Sequence, residues 1–213
     1  MNDILAALGQ SCRPLIICDI DEVVMEFLDP FQAYLASIEY RLHPDSFKLT
    51  GNIRRIADNV CATKEECAKF QEAFFAVQDQ WQKPARNARI VLDGFKDDAD
   101  IVFLTAMPPR HEIVRRALLD LHEFHFPMIA TEDAKGPVAA RLIGERGVPA
   151  VFIDDIHTNL HSVRTHAPGC LLINLMANDV FRALAPDPGE RVVKARDWDH
   201  AGALIRAHFK AHA

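Results

Sequence analysis

Three short apolar runs of this chain each end in a carboxylate or hydroxyl side chain, and this pattern limits the folds open to it. The runs cover residues 14–19, 101–105 and 150–154 and are rich in Ile, Val, Leu and Phe. Uninterrupted apolar runs are typical of strands buried on both faces of a parallel sheet. In open α/β sheets, functional groups gather at the carboxyl ends of the strands. We therefore expect one crevice to collect six side chains, namely Asp19, Asp21, Thr105, Lys135, Asp154 and Asp155.

The order of predicted elements indicates an α/β fold with a Rossmann-like, doubly wound parallel sheet of about five or six strands. Residues 26–84 show helical spacing of apolar residues without a central strand, and a capping box opens one helix at Thr63. We predict a core of residues 1–25 and 85–213 with a helical cap of residues 26–84. Predicted helices lie near residues 31–42, 86–97, 110–122, 156–166 and 198–210, and further strands near 127–130, 170–174 and 191–194. In the helix near 110–122, we expect one apolar face of Ile113, Val114, Ala117, Leu118 and Leu121.

The composition is that of an ordinary globular protein, with 49% apolar and 25% charged residues among 213. A formal net charge of −6 predicts no general attraction to nucleic acid or to an anionic membrane. No apolar stretch is long enough to span a membrane, and the start lacks the basic region of a secretory signal. Five cysteines, odd in number and without tight metal-type spacing, favour a reducing compartment. We predict a cytoplasmic protein.

Taken together, the six crevice residues suit phosphoryl transfer, although an Asp-x-Asp pair alone is a weak signal. Mg²⁺ prefers hard oxygen ligands and usually takes a few carboxylates together with substrate phosphate. A phosphoryl group in transfer needs its charge neutralised by a metal ion, an ammonium and backbone donors. The aspartates can hold the metal and Lys135 supplies the ammonium. The sequence therefore predicts a metal-assisted site with a nucleophile.

In their order along the chain, these motifs resemble the haloacid dehalogenase-like (HAD) superfamily. The matching motifs are Asp-Ile-Asp-Glu-Val-Val, Leu-Thr, Lys135 and the final Asp-Asp pair, over about residues 12–175. The resemblance implies that Asp19 is the nucleophile that forms an aspartyl-phosphate. It implies that Asp21 protonates the leaving oxygen and then deprotonates the attacking water.

The same resemblance implies roles for the later motifs. Thr105 and the backbone amides of Ala106 and Met107 would hold phosphate oxygens. Lys135 would pair with Asp19 and the transferring group. The implied Mg²⁺ ligands are the Asp19 carboxylate, the Asp21 carbonyl and Asp155, with or without Asp154.

Three positions refine this resemblance. Asp21 favours a phosphatase or phosphomutase over a dehalogenase, because an oxygen leaving group needs a proton and a halide does not. Glu22 stands where many members have Gly, and it adds negative charge near a site meant for an anion. Asp154 also replaces a Gly of many members, and Asn159 stands where they have another Asp. Which carboxylate touches the metal therefore stays open at this point.

Other candidate residues are weaker. Arg54 and Arg55 follow a turn signal in the insertion and could reach the substrate's charged tail, but a solvated basic turn is the favoured interpretation. Arg110 and His111 could line the crevice or sit in the first turn of a surface helix. The two histidines at 157 and 161 lie four residues apart, yet no third ligand of the transition-metal type is near.

Several functions compete with a phosphatase. A response-regulator receiver would place its Lys after the last acidic pair, and a glycosyltransferase would carry Asp-x-Asp deeper in the chain. We predict a Mg²⁺-dependent phosphohydrolase with a small helical cap that acts on a small phosphorylated metabolite and contacts neither nucleic acid nor membrane. The alternatives that stay open are a phosphomutase or other phosphotransferase and a catalytically idle, partner-binding relative. The sequence gives no oligomeric state.

Overall fold

A computed structural model describes residues 2–144 and 146–212 of the chain. In this part, the strands are β1 (Leu15–Cys18), β2 (Tyr40–Leu42), β3 (Ile53–Arg55), β4 (Asp100–Thr105), β5 (Met128–Ala130), β6 (Ala150–Asp154), β7 (Leu171–Asn174) and β8 (Val192–Lys194). Six of them form one sheet in the order β5-β4-β1-β6-β7-β8, and all neighbours run parallel. The predicted α/β fold with a doubly wound parallel sheet is confirmed.

The apolar runs form strands because both faces of the sheet are covered. In β1, Ile16 and Cys18 pack into one core cluster, whereas Leu15 and Ile17 pack into the cluster on the opposite face. All four side chains are fully buried. This alternation is what a central parallel strand requires, because each successive side chain points to the other face.

The helices cover both faces. They are α1 (Asn2–Gly9), α2 (Leu28–Ser37), α3 (Lys64–Ala76), α4 (Ala88–Asp93), α5 (Glu112–Leu121), α6 (Lys135–Ile143), α7 (His157–His166), α8 (Asp179–Leu184) and α9 (Trp198–Ala211). Short 3₁₀ turns cover Gln78–Gln80 and Pro109–His111. Among the helices of the described residues, none has the length and apolar character needed to cross a bilayer.

The insertion differs from its prediction in one element. The helix expected over residues 31–42 ends at Ser37, and an antiparallel hairpin of β2 and β3 follows it. The chain turns at Glu39, which adopts a left-handed backbone with φ of 62°. The prediction of a purely helical cap was therefore wrong in this detail. The predicted capping box is confirmed, because Thr63 Oγ1 accepts from the amide of Glu66 and the Glu66 carboxylate accepts from the amide of Thr63.

Helix α5 turns a different face to the core than the sequence pattern predicts. Ile113 and Leu121 are 84% and 69% exposed, and of the five residues expected on the apolar face only Leu118 is buried. Arg115 is fully buried instead. The prediction was wrong because Arg115 finds acceptors inside the protein, so its burial is offset by charged hydrogen bonds.

The insertion leaves and rejoins the core at one place. The amide of Glu26 donates to the carbonyl of Lys83 at 2.9 Å, and the amide of Ala85 donates to the carbonyl of Val24 at 2.9 Å. The two chain crossings therefore run side by side. The boundaries at residues 26 and 84 remain a prediction, and they fall at these paired crossings.

Candidate active site

Three adjacent strands bring the predicted polar residues to one edge of the sheet. Asp19 follows β1 directly, while Thr105 and Asp154 are the last residues of β4 and β6, the two neighbours of β1. The amide of Asp19 donates to the carbonyl of Ile153 at 2.9 Å, which continues the ladder to the carboxylate. Lys135 begins α6, after the outer strand β5.

Three buried carboxylates lie together at this edge. One oxygen from each of Asp19, Asp154 and Asp155 lies within 4.8 Å of the others. Burial raises the pKa of Asp19 to about 7, although Lys135 acts in the opposite direction. Burial, followed by the charges of Asp154 and Asp19, raises the pKa of Asp155 well above its ordinary value. A divalent cation would offset the repulsion of this group, and carboxylate oxygens are the ligands that Mg²⁺ prefers.

Lys135 bridges two of the three carboxylates. Its Nζ lies 2.7 Å from Asp19 Oδ1 and 2.7 Å from Asp154 Oδ2, and the side chain is 1% exposed. Burial alone would lower the pKa of Lys135, but the two carboxylates raise it overall. The ammonium is therefore charged and fixed between the β1 and β6 ends.

Close packing of two helices fixes the position of Lys135. A Cβ added to Gly136 would lie 2.4 Å from the carbonyl oxygen and from Oγ of Ser162 on α7. The Gly136 amide also donates to Ser162 Oγ at 3.1 Å. Only glycine permits this approach, which places the first turn of α6 against α7.

The two carboxylates of the last motif have different surroundings. Asp154 accepts from Lys135, from the amide of Ile156 at 2.8 Å and from Asn159 Nδ2 at 3.2 Å. Among the described residues, no side-chain or backbone donor binds the carboxylate of Asp155, which borders the crevice. This geometry favours Asp155 as the direct metal ligand and Asp154 as the residue that orients Lys135.

The Asp21 carboxylate lies apart from the other three. It accepts from Arg115 Nη2 at 2.8 and 3.0 Å and from Gln82 Nε2 at 2.8 Å. Arg115 Nε also donates to Gln78 Oε1. Asp21 thus joins the core helix α5 to the end of the insertion while it still borders the crevice. Its carboxylate does not belong to the group of three carboxylates, and the ligand role of its main-chain carbonyl stays a prediction.

The β4 end supplies a hydroxyl and backbone amides. Thr105 is 1% exposed, and its Oγ1 accepts from the amide of Met107 at 3.1 Å. Ala106 between them is exposed, and all three residues border the crevice. The Met107 amide has an acceptor within its own loop, so the loop holds its shape by itself.

The negative charge of Glu22, which the sequence places near a site for an anion, is bound by backbone amides. Its carboxylate accepts from the amides of Phe27 and Leu28 at the start of α2, at 3.1 and 2.8 Å, and from the amide of Asn178. Burial raises the pKa of Glu22, while these amides oppose the shift. Its backbone is left-handed, with φ of 63°. The charge faces a helix N-terminus, where an anion is favourable, and the residue ties the core turn to the insertion.

A cavity of about 390 Å³ opens above the carboxylates. Its floor consists of Asp19, Asp21, Thr105 and Asp155, and most of its opposite wall comes from residues 26–84. The predicted crevice therefore exists, and the insertion covers it.

The weaker candidates have structural partners. Arg54 pairs with Asp45 at 2.8 Å, and its neighbour Arg55 pairs with Asp58 at 3.5 Å, as a solvated turn would. Arg110 and His111 both bind Glu72 of α3, so they link the core to the insertion. The histidines at 157 and 161 lie on α7 outside the carboxylate group.

Sequence reasoning missed Arg115, Gln82 and Gln78. An arginine in a helix is most often exposed, and an Arg-Arg pair on a surface helix gives no signal of burial. The two glutamines lie in the segment whose elements are hardest to predict. The carboxylate of Asp21 needs a positively charged partner, and this need was the one sequence signal that pointed to Arg115.

Solved structures share this fold at low sequence identity. A HAD-superfamily hydrolase of subfamily IA from Geobacter sulfurreducens superposes with a TM-score of 0.58 and 16% identity, over 92% of this chain and 98% of that chain. A haloacid dehalogenase-like protein of unknown function from Agrobacterium tumefaciens gives 0.60 and 14%, over 91% and 97%. A haloacid dehalogenase-like hydrolase from Streptococcus pneumoniae gives 0.55 and 13%, over 93% and 99%. No family model matches the sequence, and no curated protein matches it.

Proposed function

We propose that this chain, which has the haloacid dehalogenase-like fold, is a Mg²⁺-dependent phosphohydrolase acting on a small phosphomonoester. One observation carries the proposal. A buried ammonium and three buried carboxylates lie together, and two of these carboxylates, Asp19 and Asp155, line a small-molecule cavity beside a hydroxyl and backbone amides. Such a set can neutralise and attack a phosphoryl group. The fold alone would not carry the proposal, because one fold hosts many functions.

Asp19 has the surroundings of a nucleophile. Its Oδ1 is held by Lys135 at 2.7 Å and by the amide of Ile20 at 2.8 Å, which leaves Oδ2 without a protein partner among the described residues. An oxygen of Asp19 would attack phosphorus, and the bond from phosphorus to the leaving oxygen would break. Water would then attack the aspartyl-phosphate, and the bond from phosphorus to the Asp19 oxygen would break to release phosphate.

Asp21 is suited to move the protons of both steps. It would give a proton to the leaving oxygen and later take one from the attacking water. Arg115 and Gln82 hold its carboxylate beside the crevice. A residue that protonates an oxygen leaving group supports a phosphatase over a dehalogenase.

The carboxylate group fits Mg²⁺. Asp19, Asp155 and the main-chain carbonyl of Asp21 would hold the ion, which would neutralise charge on the transferring phosphoryl group. Lys135, 2.7 Å from Asp19, would add positive charge to the same region, while Thr105 and the backbone amides of Ala106 and Met107 would contact phosphate oxygens. The insertion above the cavity would exclude water and set specificity. A cytoplasmic location stays a prediction.

The test is release of inorganic phosphate from a panel of phosphorylated metabolites, with Mg²⁺ or with EDTA. We expect release only with Mg²⁺, and loss of it in Asp19→Asn while the protein stays folded. The exposed Asp98→Asn is the matched control and should keep its activity. Substantial release by Asp19→Asn would refute the nucleophile assignment. No release by the folded wild type would favour a phosphotransferase, which is then tested by adding acceptor alcohols, or a partner-binding relative.

Asp21→Asn tests the acid role separately. We expect a strong loss for esters of poor leaving groups and a smaller loss for para-nitrophenyl phosphate, whose leaving oxygen needs little protonation. Equal losses for both classes of ester would argue against proton donation by Asp21.

A further inference from the structure

The cavity above the carboxylates has an apolar wall. Six side chains that contribute to it are Phe27, Leu28, Phe47, Leu49, Phe75 and Phe181. Glu22 and Asn159 also border the cavity; both carboxylate oxygens of Glu22 and the Nδ2 of Asn159 bind protein groups, while Asn159 Oδ1 keeps a free acceptor among the described residues. Among the described residues, this leaves Lys48 and Gln71 as the polar side chains of the wall that have no protein partner.

Packing behind the wall holds it in shape. The ring of Phe27 stacks on Phe31 at 5.2 Å and meets Phe74 edge-on at 5.5 Å, and Phe75 lies 5.9 Å from Phe27. Phe31 and Phe74 are fully buried. Aromatic pairs of this kind are stabilising, so the part of the wall that Phe27 and Phe75 form is preformed for a ligand.

We infer that the substrate's organic part is a compact apolar group, so that the ligand is a phosphomonoester of a small apolar alcohol. This inference rests on the proposed phosphohydrolase function. A sugar phosphate would bring several hydroxyls against aromatic and aliphatic side chains, where few partners exist to replace water. A volume of about 390 Å³ suits a small molecule rather than a protein segment. The polar residues of the cavity take the phosphate, and the apolar wall takes the apolar group of the alcohol.

A matched pair of substrates isolates the wall from the chemistry. Cyclohexylmethyl phosphate and glucose 6-phosphate are both primary alkyl phosphates on six-membered rings, so they differ chiefly in hydroxyl groups. An apolar pocket discriminates by roughly 100-fold against a single added hydroxyl. We expect kcat/KM with Mg²⁺ to favour the cyclohexyl compound by at least about 100-fold. We expect calorimetric Kd values for Asp19→Asn to show the same preference.

Two variants test the wall directly. Leu49→Asn places an amide on the wall, and it should reduce the preference for the cyclohexyl compound by about tenfold or more. Ile56→Asn is the matched control, because Ile56 belongs to the same segment, is 46% exposed and lies outside the cavity wall. It should leave the preference unchanged.

The outcomes separate this inference from the function on which it rests. Hydrolysis with equal or better use of glucose 6-phosphate would overturn the apolar specificity and leave the phosphohydrolase standing. Tighter binding of the cyclohexyl compound without turnover would support the apolar specificity of the wall and refute the proposed phosphohydrolase function. Equal affinity for both compounds in Asp19→Asn would overturn the wall assignment whatever the turnover.

Discussion

Replacing Lys135 with methionine removes the ammonium that contacts two of the buried carboxylates and keeps most of the apolar stem. In the wild type, Nζ lies 2.7 Å from oxygens of both Asp19 and Asp154. These two side chains are 9% and 0% exposed, so water cannot readily take over the role of the ammonium. The variant therefore leaves a cluster of like charges without its internal counter-charge.

The expected loss in the free energy of unfolding follows from the two ion pairs of Lys135. At 2.7 Å and an effective dielectric constant of about 20, each pair attracts by about 6 kcal/mol. Burial of the three charged groups costs several kcal/mol per ion, so the net contribution is smaller. Removing one partner from a buried pair typically costs about 3–5 kcal/mol. Because one ammonium serves two carboxylates here, we expect a loss of about 5 kcal/mol in the free energy of unfolding, the upper end of that range.

Urea unfolding at neutral pH in EDTA measures this loss. The matched control is Lys210→Met, an exposed lysine on α9, which should change stability by less than about 0.5 kcal/mol. Saturating Mg²⁺ should stabilise Lys135→Met more than the wild type, because the variant's carboxylates have lost their competing cation. Adding Asp154→Asn to Lys135→Met should restore part of the loss, and this double variant serves if the single one does not fold.

A loss below about 1 kcal/mol in EDTA, equal to that of the control, would refute the reasoning. It would mean that the carboxylates become neutral at little cost when the ammonium is absent. Failure of Asp154→Asn to restore any stability would also contradict it, since removal of one carboxylate must relieve the repulsion.

Three further predictions concern the surroundings of the site. Gly136→Ala should lower the free energy of unfolding by about 2 kcal/mol, because the added methyl clashes with Ser162; an unchanged urea midpoint would show that the two helices separate freely. Arg115→Gln should lower the free energy of unfolding by about 3 kcal/mol. A double-mutant cycle with Asp21→Asn should give a coupling energy of at least about 1 kcal/mol, whereas additive losses would show that the contact between the two side chains contributes nothing. Hydrogen bonds from Arg110 and, to a smaller extent, from His111 lower the pKa of Glu72 to about 2. Because this pKa is depressed, the stabilisation by Glu72 is complete above pH 4.5 and is lost as the pH falls toward 2. Glu72→Gln should therefore lower the free energy of unfolding by at most about 1 kcal/mol at pH 7 and by less at pH 3.5. A larger loss at pH 3.5 than at pH 7 would contradict this prediction.

Three of the site residues that the sequence revealed share one property. Each of Asp19, Thr105 and Asp154 directly follows or ends an apolar run, so local pattern and sheet topology suffice to bring them together. The residues that stayed hidden act through distant partners. Arg115 binds the carboxylate of Asp21, which is 94 positions away, and Gln82 binds the same carboxylate from a distance of 61 positions. Such contacts depend on how separate segments dock, and no short sequence window contains that information.

The errors within the insertion and α5 have a related cause. Helical spacing of apolar residues continues past Ser37, yet the left-handed turn at Glu39 ends the helix and starts a hairpin. In α5, several apolar residues face water because a buried arginine occupies the inner face. In both places, tertiary contacts outweigh a local preference, which is weak at about a few tenths of a kcal/mol per residue.

The adjacent chain crossings at Glu26 and Lys83 separate the residues proposed to carry out the chemistry from most of the residues proposed to set the specificity. Every carboxylate of the cluster and Lys135 lie outside the segment between them, while most of the apolar wall lies inside it. A replacement of that segment would need to match one pair of neighbouring backbone positions, joined by a 2.9 Å hydrogen bond, and to supply partners for Asp21 and Arg115 in place of Gln82 and Gln78. Such a replacement would change most of the apolar wall, and so the alcohol that the cavity accepts, while Asp19, Lys135 and the Asp154-Asp155 pair kept their positions in the core.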